Sequence, residues 1–190
     1  MVNNLKIITL PHGALRKPSR KVGTVNQEIL DLVQVMKDQS LAWEDSREHE
    51  ITVGLAAVQI NEPWRVIIVR EDFEDSKNKN FVTLINPEIT KYEGKQIERI
   101  DGCLSVKDYY VKVSRYSRVK IRALDESGRE VRATLEGFAA EVLQHEIDHI
   151  KGITIVDRAV DQNSFYKLGS KGKYEEVDYS EIQAANILAE

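Results

Sequence analysis

Cysteine is nearly missing from this chain. Cys103 is the only one in 190 residues, so no intramolecular disulfide can form and a reducing compartment is expected. Long apolar runs are missing as well. No stretch reaches the roughly 18 consecutive apolar residues of a membrane-spanning helix, and "MVNNLKIITLPHGALRK" lacks the uninterrupted apolar segment of a secretory signal. Excess charge is small: a formal net charge of −4 and a pI of about 5.7 carry no electrostatic footprint for nucleic acid. These absences lead us to expect a cytoplasmic protein with neither a membrane nor a specific nucleic-acid partner.

What is present describes one globular domain. The chain is 42% hydrophobic and 31% charged, long enough to bury a core without staples, and free of repeats, linkers and low-complexity tracts. "LKIITLP" reads as a short strand running into a turn. Ile29, Leu32, Val33 and Met36 repeat at helical spacing within a helix of about residues 26–43, for which Thr24 and Gln27 fit a capping box. "EDSREHE" reads as a charged loop. "WRVIIVRE" (64–71) and "FVTLINPEI" (81–89) read as strands, and "VSRYSRVKIRALDESGREVRATLEG" as a hairpin around the turn "DESG". A second helix spans about 136–151 and stops before Gly152, a plausible left-handed terminator. The chain from Asp161 is polar, with a final helix read in "SEIQAANILAE". Strands cluster rather than alternate with helices, so the fold class is α+β: antiparallel β-sheets around the second helix, with an N-terminal amphipathic helix.

With four histidines in all, the placing of two of them in "EVLQHEIDHIKG" is informative. His145 and His149 are four residues apart on a predicted helix, so both imidazoles face one point, which suits two ligands on one divalent metal. Glu146, beside the first, can act as a general base toward an attacking water. A third protein ligand is needed, and no histidine follows His149. Asp157, Glu175, Glu176 and Glu181 offer carboxylates downstream. Cys103, in "IDGCLSV", stands upstream, although a lone cytosolic cysteine is more often a small buried hydrophobe. In "TVGLAAVQI" (52–60), Gly54, Ala56 and Ala57 suggest close approach, and Gln59 places one amide in an apolar run; a tight packing site with a satisfied core amide explains these equally well. His12 and His49 sit in turn and loop contexts and are read as solvent-facing.

Together "TVGLAAVQ" (52–59), "DGCLS" (101–105) and "QHEIDH" (144–149) resemble, in order and spacing, the three motifs of the peptide deformylases. The similarity extends through "ITLPHGALRKPSRKV", the predicted hairpin and "GITIVDRAV", from residue 4 to about 160. It implies a single catalytic domain over residues 1–165, followed by a polar, partly helical tail at 166–190. By this resemblance Cys103, His145 and His149 are the metal ligands and Glu146 the general base. Gln59 and the backbone N–H of Leu104 stabilise the oxyanion, and backbone around Gly54 pairs with an extended peptide. The implied activity removes the formyl group from N-terminal formylmethionine. The metal is ferrous iron in the cell, with zinc, nickel or cobalt as substitutes, and the substrate brings the enzyme into transient association with the ribosome.

For the methionine side chain, an apolar slot is expected from Val53, Phe138 and Val142; the last two share a helix face with His145. Arg115 is expected to pair with Asp101 or Asp148 behind the metal site. This sequence departs from the family pattern at Thr52 (usually Gly), Asp101 (usually Glu) and Lys107 (commonly Pro). Thr52 carries a steric cost if the position needs positive φ. Two other readings compete: a low-activity, deformylase-like peptide-binding protein, and a small metalloendopeptidase whose third ligand is a downstream carboxylate.

Overall fold

The computed structural model describes residues 6–46, 51–75, 77–169 and 172–188. Three helices and seven strands are named here in chain order: α1 (Gln27–Asp45), β1 (Gly54–Ala56), β2 (Val66–Arg70), β3 (Phe81–Gly102), β4 (Tyr110–Leu124), β5 (Glu130–Glu136), α2 (Gly137–Ile150), β6 (Phe165–Leu168), β7 (Tyr174–Glu176) and α3 (Tyr179–Ala184). All seven strands join one antiparallel sheet in the order β1-β2-β3-β4-β6-β7, with β5 also paired to β4. The expectation of several sheets is thus corrected to one continuous sheet. No helix among the described residues is long and apolar enough to cross a membrane.

α1 begins where Asn26, not Thr24, caps it: the Asn26 side chain accepts from the Ile29 N–H at 3.2 Å. Its Ile29, Leu32, Val33 and Met36 are buried against the β1–β2 side of the sheet. The described part of "LKIITLP" is not a strand. Its backbone serves two other segments, with Ile8 donating to the Gln59 carbonyl (2.8 Å) and Leu10 to the Ser105 carbonyl (2.9 Å). His12 is exposed, and its Nδ1 accepts from the Ala14 N–H. His49 lies outside the described residues, as does most of the charged loop before β1.

β3 runs 13 residues past the expected end at Ile89, to Gly102. Register shifts between Ile85 and Glu88, Ile89 and Lys91, and Glu93 and Gln96 mark irregularities along it. Asn86 (φ 51°) and Gly94 (φ 76°) take the left-handed backbone there. Asn86 is held in it by a reciprocal amide pair with the Val22 backbone, both bonds 2.8 Å. One end of β3 therefore pairs with β2 while the other delivers Cys103. The β4–β5 hairpin closes as expected, with Asp125 accepting from the Ser127 and Arg129 N–H groups and Gly128 at φ 78°.

Every residue of α2 from Ala140 to Ile150 is buried. Gln144 pins the helix to β4: its Oε1 accepts from the Tyr116 N–H at 3.0 Å and its Nε2 donates to the Tyr116 carbonyl at 2.8 Å. The helix ends as predicted at Gly152, φ 77°, whose N–H donates to the His149 carbonyl while Ile153 donates to that of Asp148. A Cβ at Gly152 would stand 2.7 Å from the Arg16 carbonyl oxygen, so the position excludes a side chain for space as well as for φ.

The segment after Asp161, polar on average, folds back. β6 and β7 form a hairpin and α3 covers residues 179–184, a shorter helix than the sequence suggests. Phe165, Val177, Ile182 and Ile187 are buried with Leu10, Leu15, Val111 and Ile155 in one cluster.

Candidate active site

Two elements bring the reactive side chains together. The β3–β4 turn supplies Cys103, and the buried face of α2 supplies His145, Glu146 and His149. Cys103 Sγ lies 3.2 Å from His149 Nε2, and the two Nε2 atoms are 3.2 Å apart. The three ligand atoms all fall within 4.8 Å of one another. Donors about 2.0–2.3 Å from a common tetrahedral centre stand roughly 3.3–3.6 Å apart, so this spacing fits one small divalent ion with little movement. None of the downstream carboxylates joins the cluster. Asp157 is engaged by Arg16 and by Thr154, Glu181 by Tyr109 and Lys167, and Glu175 and Glu176 are exposed.

Around this trio lies a charged frame. Asp101 Oδ2 is 2.9 Å from His145 Nδ1, which fixes the ring so that Nε2 faces the cluster. Arg115, buried, donates Nη2 to Asp101 (2.9 Å) and Nη1 to Asp148 (3.0 Å). It therefore meets both of the carboxylates named for it, not one. Arg158 adds bonds of 3.1 and 2.7 Å to Asp148, a partner for which the sequence held no periodic or motif signal.

The electrostatics follow from this frame. Burial pushes the Asp101 carboxyl up, but the His145 and Arg115 charges outweigh it and hold it at about 2. Burial pushes His145 down, yet the Asp101 carboxylate raises it well above the ordinary imidazole value. His149, desolvated and facing cationic His145, is held well below. Glu146 is lifted to about 7, chiefly by burial, and its Oε2 has no hydrogen-bond partner among the described residues.

Gln59 is fixed before any ligand arrives. Its Oε1 accepts from the Ala56 N–H at 2.8 Å, so Nε2 must face the other way, 3.2 Å from Ser105 Oγ and 3.8 Å from Cys103 Sγ. The Ser105 N–H also points at the sulfur, at 3.4 Å.

A cavity of about 380 Å³ opens beside the trio. Gln59, Cys103, Leu104, His145 and Glu146 line it, and so do Gly54, Val53, Phe138 and Val142. His149, 1% exposed, does not line it. Phe138 is half exposed at the rim, edge-on to Phe73 with centroids 5.1 Å apart. Gly54 has a second task that the sequence did not disclose: a Cβ there would stand 2.5 Å from Glu146 Oε1. Thr52 is not strained. It lacks positive φ, its N–H donates to Glu44 Oε1 (2.7 Å), and its hydroxyl donates to the Ser40 carbonyl (3.1 Å). The anticipated steric cost is absent. Arg99 and Glu141 also line the cavity, and no motif or periodicity in the sequence marks either.

The profile of the polypeptide deformylase family matches residues 4–165. The peptide deformylase of Aquifex aeolicus is 42% identical over 152 residues, covering 80% of this chain and 85% of that protein. That of Wolinella succinogenes is 38% identical over 156 residues, covering 81% and 87%. Among solved structures, a peptide deformylase from Legionella pneumophila aligns with a TM-score of 0.71 at 37% identity, covering 80% of this chain and 84% of that one. One from Synechococcus elongatus, in complex with actinonin, aligns with a TM-score of 0.73 at 29% identity, covering 83% and 79%. The chain therefore belongs to the polypeptide deformylase family, metal-dependent hydrolases that release formate from the N-terminal formylmethionine of new polypeptides.

Proposed function

We propose that this deformylase chemistry is carried by Cys103, His145 and His149 as ligands of one divalent ion on helix α2 at the centre of the fold. Glu146 is the proton carrier, and Gln59 with the Leu104 N–H supports the oxyanion. The observation that carries the reading is the convergence of the Cys103 sulfur and two imidazole Nε2 atoms within 4.8 Å, at the wall of a cavity that also holds Glu146 and Gln59. One thiolate and two imidazoles suit iron, zinc, nickel or cobalt by softness, and we assign ferrous iron in the cell. The ion supplies Lewis acidity, lowering the pKa of water and polarising the formyl carbonyl.

The side chains divide the remaining work. A formamide needs a proton removed from the attacking water and a proton delivered to the leaving nitrogen. A carboxyl lifted to about 7 by burial does both near neutral pH, so Glu146 takes the first proton and returns it to the amine. The Gln59 amide, aimed in advance by Ala56, donates to the developing oxyanion; one such donor contributes about 3–4 kcal/mol. The water oxygen ends in formate, and the peptide leaves with a free amino group.

β1 ends the strand order, so its outer edge has no ladder partner among the described residues. An extended peptide adds there as a further strand beside Gly54, with its first side chain directed toward Val53, Phe138 and Val142. Residues 1–165 form the catalytic domain in this reading, and the enzyme works in the cytoplasm in transient association with the ribosome. The test is formate release from a formyl-Met peptide by protein loaded anaerobically with iron. No release at full metal occupancy overturns it. Cys103→Ser should lose tight metal binding, whereas Glu146→Ala should keep the metal and lose turnover.

A further inference from the structure

The face of α2 that carries His145 into the cavity is not apolar throughout. Phe138, Glu141, Val142 and His145 fall at i, i+3, i+4 and i+7, so one stripe of the helix forms one wall, and all four line the cavity. Glu141 therefore stands between the rim, at Phe138, and the metal-ligand end, at His145. It is 8% exposed, and its Oε1 accepts no hydrogen bond. Its charged neighbour is Arg99 from β3, whose Nε lies 3.0 Å from Oε1 without the alignment of a hydrogen bond. The Arg99 side chain is 60% exposed. A contact of this kind is weak, because half of it is already solvated, and an incoming group can replace it.

Arg115 attracts Glu141 without bonding to it, because its guanidinium is held by Asp101 and Asp148. A buried carboxylate without an aligned donor is a costly arrangement for a slot that takes only a thioether. It is a suitable one for a side chain that brings a donor of its own.

From this we propose that Glu141, gated by Arg99, is a specificity-determining residue that lets the first-residue slot accept formylated peptides whose first side chain ends in a cationic or N–H donor group. The proposal rests on the deformylase reading of the same cavity. Methionine enters along Val53, Phe138 and Val142 without engaging Glu141. A lysine-like side chain of similar length enters by displacing the Arg99 guanidinium and pairing with Glu141.

The test measures kcat/KM for formyl-norleucyl, formyl-lysyl and formyl-glutamyl tripeptides on iron-loaded protein, comparing the wild type with Glu141→Leu, Glu141→Gln and Arg99→Ala. Each variant is scored by the ratio of two peptides on one preparation, so a fold or metal defect cancels. Glu141→Leu should lower the lysyl/norleucyl ratio at least about tenfold, and Glu141→Gln by less. Arg99→Ala should raise it and leave formyl-glutamyl the poorest substrate. A lysyl/norleucyl ratio unchanged within twofold in Glu141→Leu overturns the proposal. Loss of formate release from all three peptides would instead overturn the deformylase reading.

Discussion

Gly54 and Glu146 compete for the same space: a Cβ on Gly54 would stand 2.5 Å from Glu146 Oε1 and 2.9 Å from its Cδ. The short β1 strand thus sets how close the Glu146 carboxylate comes to the cavity. Gly54 has no positive φ, so alanine there meets a steric obstacle and no backbone penalty. Gly54→Ala should keep its fold and metal content but lower kcat by about a hundredfold, the scale of a 1 Å misplacement of a reacting group. Single-turnover formate release checks it; a kcat within threefold of wild type would show that Glu146 moves aside without consequence.

Arg115 joins the Asp101 that orients His145 to the Asp148 that precedes His149. Arg115→Ala leaves Asp148 with Arg158 but removes the charge that holds Asp101. Metal affinity should fall about 10- to 100-fold, as for other partners that orient ligand histidines. Competition with a chromogenic chelator reads this directly. Full occupancy at equal chelator would mean that His145 alone secures Asp101.

Glu44, near the end of α1, forms a buried ion pair with Arg70 and accepts from the Thr52 N–H. Arg70 also donates to the Thr52 carbonyl (3.2 Å) and the Asn78 carbonyl (3.0 Å). Glu44→Ala strands a guanidinium that is 2% exposed. A loss of about 3–5 kcal/mol is expected, toward the lower end because two carbonyl partners remain. Urea denaturation measures it. Thr52→Gly should cost less, since the Glu44 acceptor survives.

Asp157 supplies an acid-limb prediction. Burial raises its carboxyl, but hydrogen bonds from Arg16 and Thr154 prevail and hold it below the ordinary carboxylate range. A depressed folded-state pKa stabilises above the unfolded value of about 3.9, and that contribution is lost as pH falls through the folded value. Asp157→Asn should therefore lose stability at neutral pH, and its gap from wild type should shrink below about pH 4. A gap constant from pH 7 to 3 would contradict this.

How much could be seen in advance depended on whether a residue's neighbours were local. Cys103, His145, His149, Glu146 and Gln59 sit in short motifs, so their convergence at one cavity is legible, and α2 with its Gly152 stop follows from periodicity. Asn26 as the cap was missed because Thr24 and Gln27 offered a competing local pattern. β3 beyond Ile89 was missed because "TKYEGKQIER" is polar and half-exposed, and only pairing with β4 makes it a strand. The ladder supplies what composition does not. Thr52 looked like a defect because its partners Ser40 and Glu44 lie on another element. Arg158 and the buried Glu141 likewise become visible only once the chain is folded.

The cluster that unites Leu10 and Leu15 with Phe165, Val177, Ile182 and Ile187 has a consequence for biogenesis. Its members lie far apart in the sequence, so during synthesis Leu10 and Leu15 stay uncovered until Phe165, Val177, Ile182 and Ile187 have been added and have left the exit tunnel. Vectorial folding can complete β2 through α2 sooner, but this core closes last.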